Sequence, residues 1–559
     1  MPSIIVENFQ PANLGLDKTQ IESSEASFAG WTNTEEGVLK AQDGFLISES
    51  NVVQASARSI YWYNREGNMG KGYWLEWSGD VDVVKGPLAD DSYDRIYWTG
   101  DGVPKMGTFT LVQSGNSQYP GASRTLGLPV PGFVSAVGPT TEPYESTDDN
   151  GNPITVDPAD GNQIISTAYV MTYVSDIGEE GPASMASTII DRYDGGTVSL
   201  SNLSTPSGAY NITKKRIYRA ELNGAFQFVA EVNASATTYS DSRKSASLGE
   251  PLPSDGWIMP HEDMIGLTAL PNGVLAGFWG NTVAFSVPYQ PHAWPIEYRY
   301  AMDSDVVGLA VCASGLVVCT KGSPYIMSGS APGSMSQNKL EVTYPCVSKR
   351  SIVDMGDYVV YASTDGLVAV GGVSARLISL DKISRRYWGF YFSTSADPII
   401  GVKWSDRYLG LMSEGSNRVM FSFHPAEGLT YYNFNDAYLD QPTTLWRDPE
   451  TDDVYGLLKN DKGVHKWGSG TGAAAKWTSK EFNIPPSQNY VCCKIRSDSN
   501  LDLDFTYRAG GHTKTITVTG NKPFRLPAAH RANNCSFTIE LFSGSVRSVQ
   551  LSTSMSELL

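Results

Sequence analysis

The sequence predicts an all-β chain: a β-propeller with an inserted β-sandwich and a second β-sandwich at its C-terminal end. Three observations predict it. A unit of apolar strand, tight polar turn and apolar strand, then another turn and strand, recurs from Leu267, Val306, Ser351, Pro398 and Thr443. Successive starts lie 39, 45, 47 and 45 residues apart, and a period of about 40–50 residues holding several short strands is that of propeller blades. The 54 glycines, 29 tyrosines and 13 tryptophans suit many tight turns and aromatic cross-strand pairs. No long stretch carries the 3.6-residue apolar period of a helix.

The most apolar stretch is Val306–Cys319, 14 residues followed by Thr320-Lys321-Gly322. A membrane helix needs about 20, so this run reads as the two inner strands of one blade around a Ser314-Gly315 turn. Both faces of such strands are covered by the next blades, which accounts for their apolarity. Two N-terminal stretches, "SARSIYWYNREGNMGKGYWLEWSG" and "DDSYDRIYWTGDGVPKMGTF", alternate aromatic and polar residues between glycine turns. They extend the expected ring to six or seven blades.

The expected boundaries follow from changes in texture. Residues 1–133 form the N-terminal part of the propeller. Residues 134–254 open with the polar loop "PTTEPYESTDDNGNPITVDPADGN" and continue as short strands with a turn signal at Asn223-Gly224. They predict an inserted fibronectin/Ig-like β-sandwich. Residues 255–470 complete the propeller. "WGSGTGAAAKW", Trp467–Trp477, reads as a linker of small residues, and 471–559 as the C-terminal β-sandwich.

The formal charge is -17. A domain that grips nucleic acid is basic, because gripping means neutralising phosphates, so the chain is expected to repel DNA rather than hold it. The N-terminus "MPSIIVENFQPANLG" shows no basic region followed by an apolar core, which predicts a soluble protein without a secretion signal. Six cysteines are too few for a disulfide scaffold. Across the Ser314-Gly315 turn Cys312 is expected to face Val317, leaving Cys319 diagonal and about 7–8 Å away, too far for an easy bridge. All six are expected as reduced, buried small residues of a protein assembled in a reducing cytoplasm.

The chemistry-bearing motifs are few, and none carries a catalytic, cofactor or metal assignment. His261-Glu262-Asp263 resembles a metalloprotease start, but Ile265 stands where the second histidine is needed. The histidines, at 261, 292, 424, 465, 512 and 530, form no pair at ligand spacing. "GSGTGAAAK", ending in Lys476, lacks the phosphate-loop spacing. The loop holding Asp148, Asp149, Asp157 and Asp160 has Pro153 where an EF-hand needs glycine, so a solvated loop is the simpler reading. Ser363–Val370 partly matches the turn motif of sialidase propellers but lacks its Thr-Trp ending; ordinary hairpin chemistry accounts for it. The sequons at Asn202 and Asn211 mean little without secretion. No G-x-S-x-G elbow is present, and no carboxylate pair stands out as acid and base.

Four segments, taken in order, resemble a family. They are "YVMTYVSDIGEEGPAS" with "KKRIYRAELNGAFQFVAEVNASATTYSDS"; "LTALPNGVLAGFWGNTVAFSVPYQPHAWP"; "VVGLAVCASGLVVCTKGSPYIMSGSAPGSM" with "CVSKRSIVDMGDYVVYASTDGLVAVGG"; and "KWTSKEFNIPPSQNY" with "FRLPAAHRANNCSFTIELFSGSVRSVQLSTSMSEL". Together they resemble the tail nozzle proteins of short-tailed bacteriophages, the tail tubular protein B family, over most of residues 134–559. The resemblance implies a structural virion protein of the tail, assembled in the host cytoplasm as a homohexameric ring below the adaptor and portal. It implies tail fibres or tail-tip proteins as neighbours and a host outer membrane or receptor at the distal end. It also implies a channel that retains and then conducts double-stranded genome DNA without tight binding, and no catalytic site. An acidic lumen fits that role, because each lysine facing the duplex would add a sticking point. Two other readings stay open: a receptor- or glycan-binding propeller, marked by exposed tryptophans ringing one face, and a propeller hydrolase, marked by carboxylates converging in the central channel.

Overall fold

Short strands that bury both faces must stack sheet on sheet, and here they do so around a ring. The computed structural model describes residues 3–558 other than 51, 65–71, 116–118, 205–207, 209, 223, 393–397, 415–416, 435–438, 486–488, 498–500 and 528–531. Among the described residues seven antiparallel sheets form the blades of a β-propeller. Their first strands are Ser59–Asn64 in blade 1, Asp82–Lys85 in blade 2, Ile265–Ala269 in blade 3 and Val306–Cys312 in blade 4. Val353–Asp354, Ile400–Trp404 and Pro442–Arg447 open blades 5, 6 and 7. The five repeat starts read from the sequence fall within two residues of the first strands of blades 3 to 7. Blade 1 has two described strands and the others four. Two short α-helices, Phe109–Val112 and Arg385–Tyr391, lie among the blades. No described helix is long and apolar enough to cross a membrane.

Seven separate apolar clusters fill the seven gaps between blades. Tyr97 and Met106 of blade 2 meet Leu267 and Leu275 of blade 3. Phe278 and Phe285 meet Leu316 and Val318 of blade 4, while Val317 and Cys319 of the same strand meet Tyr361 and Val368 of blade 5. Val360 and Leu367 meet Tyr408 and Phe421 of blade 6. Leu409 and Met420 meet Leu445 and Trp467 of blade 7. Leu457 and Val464 meet Ile60 and Trp74 of blade 1, and Tyr63 and Leu75 meet Ile96 and Trp98 of blade 2. Consecutive side chains of a strand point to opposite faces, so Leu316-Val317-Val318-Cys319 feeds two gaps at once. This is why the run is apolar without interruption. The turn before it is Ala313-Ser314 rather than Ser314-Gly315: Cys312 pairs with Gly315, Ala310 with Val317 and Gly308 with Cys319. All six cysteines are buried and free of disulfides.

The last blade is completed by the first half of the chain. Gly44–Glu49 forms the outer strand of blade 7 beside Val464–Gly470. Residues before it are shared rather than wholly propeller, which corrects the expectation for 1–133: Trp31 packs in the gap between blades 6 and 7, while other segments join the C-terminal sandwich. Ile4–Glu7 pairs with Ser548–Ser552 of the C-terminal sandwich, and Val6 and Phe9 enter that sandwich's core. Phe28–Gly30 joins Ala475–Thr478 of the same sandwich and meets blade 6 at Tyr431. The reason is supply: the sandwich lacks an edge strand, and "IIVE" provides one with apolar residues to bury. The expected linker Trp467–Trp477 is also mostly strand, its ends belonging to Val464–Gly470 and Ala475–Thr478.

Between blades 2 and 3 stands the inserted sandwich, with a three-stranded sheet from Ser135–Val137, Val198–Ser201 and Tyr239–Asp241. Its second sheet has four strands, including Ile164–Ser175 and Ile212–Glu221. The turn residue Asn223 lies outside the described residues, and the strands it was expected to join, Ile212–Glu221 and Gln227–Asn233, do pair. The interior holds a buried ionic knot. Asp241 accepts hydrogen bonds from Arg219 Nη1 at 2.6 Å, Tyr169 Oη at 2.8 Å and Arg192 Nη1 at 3.2 Å. Removing one partner of such a buried set leaves an uncompensated charge. The sandwich docks on blades 2 and 3 through Arg124 to Asp176 at 2.6 Å, Arg95 to Glu179 at 3.3 Å, and His292. The His292 Nε2–H donates to the Glu180 carbonyl at 3.1 Å.

Two expectations follow. A methyl group on Gly470 would strike the Phe45 carbonyl across the closing strand pair, whereas one on Gly520 meets open space. Gly470→Ala therefore lowers the denaturant midpoint by about 1–3 kcal/mol of stability, the usual range for overpacking, and Gly520→Ala leaves it nearly unchanged. Burial pushes the His292 imidazole below its usual pKa, opposed by the nearby Glu179 carboxylate. The unfolded ring protonates near about 6.5 while the folded ring resists, so its contribution is complete above that pH. It is lost as pH falls through about 6.5 toward the folded value, at up to about 1.4 kcal/mol per pH unit. Urea unfolding of His292→Gln, whose amide can still donate to Glu180, has a flatter profile between about pH 7.5 and 5.5.

Candidate functional site

The axis of the ring is where the seven first strands meet, and one mouth of it is bridged. Blade 5 is preceded by a single 3-10 turn, Lys349–Ser351. Serines on both sides pin it: Ser348 Oγ donates to the Ile399 carbonyl at 2.7 Å, and Ser351 Oγ to the Ser348 carbonyl at 2.7 Å while accepting from Ala362 N at 3.0 Å. Tyr408 Oη donates to the Ser351 carbonyl at 3.0 Å. Held in this way, Lys349 and Arg350 project across the axis.

Their partners stand three blades away in either direction, on blade 2 and blade 1. Lys349 Nζ lies 3.2 Å from Asp80 Oδ1 and also pairs with Asp82 Oδ2. Arg350 pairs with Asp80 and donates to Ser59 Oγ. Asp82 Oδ2 also accepts from Gly266 N of blade 3 at 3.2 Å. Ser59 Oγ donates to the Gly79 carbonyl at 2.7 Å and accepts from Val81 N at 3.0 Å, tying blade 1 to blade 2. Gly308 of blade 4 leaves room for the stem of Lys349, since a Cβ there would meet Lys349 Cγ at 3.2 Å. Side chains from blades 1, 2 and 5 therefore meet within bonding distance across the opening, with blade 3 backbone joining them. A duplex cannot pass between them.

Chemically this is a clamp. Asp80 and Asp82 are the carboxylates that converge at the channel, and both are turned onto Lys349 or Arg350. The sequence reading did not single out these residues. The signal was "SKRS", a basic pair just ahead of a blade in an acidic chain, facing two aspartates two residues apart at the start of another.

The residues singled out from sequence are scattered. His261 stacks on Trp279 with centroids 4.5 Å apart, and its Nδ1 accepts from Asp263 N at 3.2 Å. His424 lies 3.7 Å from Asp406 and His465 2.9 Å from Asp461. His512 opens a C-terminal strand, and His530 lies outside the described residues. Among the described residues no three His, Cys, Asp or Glu side chains form a metal-holding group. Asp148 caps its own turn, accepting from Asn152 N at 2.8 Å and Asn150 N at 2.9 Å, and these bonds hold its carboxyl below the usual range. Asp157 Oδ1 accepts from Ala159 N at 2.9 Å. Lys476 lies on Ala475–Thr478 in the C-terminal sandwich. Ser363 ends one strand of blade 5 and Gly366–Gly371 begins the next, an ordinary hairpin. Asn202 and Asn211 donate their amides to the Phe133 carbonyl and to Asp176. None of the thirteen tryptophans is exposed.

The sheets and the bridged axis define a class, a seven-bladed β-propeller carrying two β-sandwiches. No family model matches the chain, and no curated protein does. Solved structures similar to it include a streptogramin B lyase, 11% identical, covering 70% of this chain and 98% of that one with a TM-score of 0.26. The C-terminal WD40 domain of Sif2 is 12% identical over 60% of this chain and 95% of that one, TM-score 0.26. PorZ, a surface component of the Porphyromonas gingivalis type-IX secretion system, is 8% identical over 78% of this chain and 46% of that one, TM-score 0.26. At these scores the propeller rests on the chain's own strand order and blade contacts.

Replacing Lys349 and Arg350 together by Met leaves Asp80 and Asp82 facing one another. The expected cost is about 0.2–1 kcal/mol per pair, the range of solvent-accessible ion pairs. Adding Asp80→Asn and Asp82→Asn recovers most of it. A double-mutant cycle in urea, repeated at high salt where the coupling shrinks, checks this.

Proposed function

We propose that this chain is a structural subunit of a short-tailed phage tail, the nozzle protein, which closes into a homohexameric ring conducting double-stranded DNA. The observation that carries the reading is the ordered set of four resembling segments. They fall on the inserted sandwich, blade 3, blades 4 and 5, and the C-terminal sandwich, so the set touches three parts of the architecture rather than one blade. The charge of -17 supports it, because a conduit must not hold its cargo. The clamp supports a particular route. With the subunit's own axis bridged, DNA passes along the axis of the assembled ring, between copies. In this reading the virion tail is the location, adaptor, portal-side and fibre or tail-tip proteins are the neighbours, and the lumen of the ring is net negative.

A glycan-binding propeller of the kind weighed above would ring one face with exposed tryptophans, and none of the thirteen tryptophans here is exposed, five being half-buried. A propeller hydrolase would keep its axial carboxylates free, and here they are clamped. The test is the mass of the purified chain in solution together with negative-stain imaging. Six-fold rings with an acidic central passage are the expected outcome. A passage lined with lysine and arginine, or a monomer that binds a glycan array or turns over a glycoside panel, overturns the proposal.

A further inference from the structure

The inserted sandwich carries a hairpin to which no further strand pairs among the described residues. Tyr144–Thr147 pairs with Pro153–Val156 and with no other strand among the described residues. An isolated two-stranded hairpin is marginal in water. Its register places Tyr144, Ser146, Ile154 and Val156 on one face, and Tyr144 and Ile154 are 50% and 43% exposed. Glu142, Glu145, Asp148, Asp149, Asp157 and Asp160 surround it, and the chain has no lysine or arginine between Arg124 and Arg192. None of these six acids makes an ion pair with a described residue. Pro153 removes a donor from one strand, which leaves Tyr144–Thr147 as the edge able to accept a further strand.

The C-terminal sandwich offers the complement. His512–Val518 is the outer strand of its sheet, paired only with Asp502–Ala509 among the described residues, and its first four residues are exposed. Lys514 on it, and Lys522 and Arg525 in the chain that follows it, are exposed and make no ion pair with a described residue. The asymmetry extends to the whole domains. Residues 134–254 hold fifteen acidic and seven basic side chains, a net of -8; residues 471–559 hold six acidic and ten basic, a net of +4.

We infer that the acidic hairpin of one copy docks on the basic edge strand His512–Val518 of a second copy, adding Tyr144–Thr147 to its sheet. The occupant of each surface is then the same chain. An open strand edge meets an open strand edge, net negative meets net positive, and the uncovered Tyr144/Ile154 face gains a neighbour. The contact is head-to-tail, so every copy uses its hairpin once and its edge strand once. Such heterologous contacts close into rings when the rotation allows. The inference rests on the ring reading above and names the surfaces that build it.

The test uses the full chain and its mass in solution. Glu142→Lys, Glu145→Lys, Asp157→Lys and Asp160→Lys together reverse the hairpin; Lys514→Glu, Lys522→Glu and Arg525→Glu together reverse the edge. Each set weakens self-association by at least roughly tenfold, and mixing the two variants restores it, because each then offers the other a complementary pair of surfaces. The recovery also shows that both variants fold. Association of the unaltered chain weakens between about 50 mM and about 500 mM salt, as screening of exposed charges requires. Assembly that survives reversal of the hairpin overturns the contact and leaves the ring standing. A chain that stays monomeric at every concentration and at low salt overturns both.

Discussion

Closure is the constraint on which the rest of this molecule depends. A propeller ring is complete only if its last blade is finished and packs against the first, and here blade 7 takes its outer strand, Gly44–Glu49, from a point some 400 residues earlier in the chain. The loop-closure entropy of so distant a pairing grows only with the logarithm of length, so it is affordable once the blades in between are stacked. The same device is used again a few residues upstream. Ile4–Glu7 completes the C-terminal sandwich, and Phe28–Gly30 connects that sandwich to blade 6. The two ends of the chain are thereby interlocked, and neither the ring nor the C-terminal sandwich is whole without residues from the other end.

Within that closed ring, apolar packing and charge do separate work. The seven interblade clusters are apolar and fill by simple alternation along each strand. Charge is confined to places where it orients or fastens elements. The Lys349–Arg350 turn joins non-neighbouring blades across the axis, the Asp241 knot fixes the interior of the inserted sandwich, and the Arg95, Arg124 and His292 contacts seat that sandwich on blades 2 and 3. What is left over is distributed unevenly, acidic on the inserted sandwich and basic on the C-terminal one. A net charge of -17 therefore conceals two surfaces of opposite sign.

The propeller was legible in the spacing of its strands. The starts at Leu267, Val306, Ser351, Pro398 and Thr443 mark the first strands of five blades because each blade must alternate strand and tight turn at nearly constant length to reach the same axis. The turn at Ala313-Ser314 was misplaced by one residue because glycine tolerates a place in the turn or in the strand beside it, and only pairing with Cys312 settles which. The N-terminal segment was misassigned because "IIVE" has the same apolar character in a blade edge as in a sandwich edge. The clamp was illegible because Asp80, Asp82, Lys349 and Arg350 are some 270 residues apart, and charged residues near turns are ordinary.

The amino-acid sequence determined by itself the all-β class, the blade period and the pair of apolar strands within Val306–Cys319, since side-chain alternation and turn spacing are local properties of the chain. Which distant segments close the ring, and which charges meet across its axis, were decided by the fold. Those pairings depend on where seven stacked sheets bring the chain back to itself, and no local pattern records that.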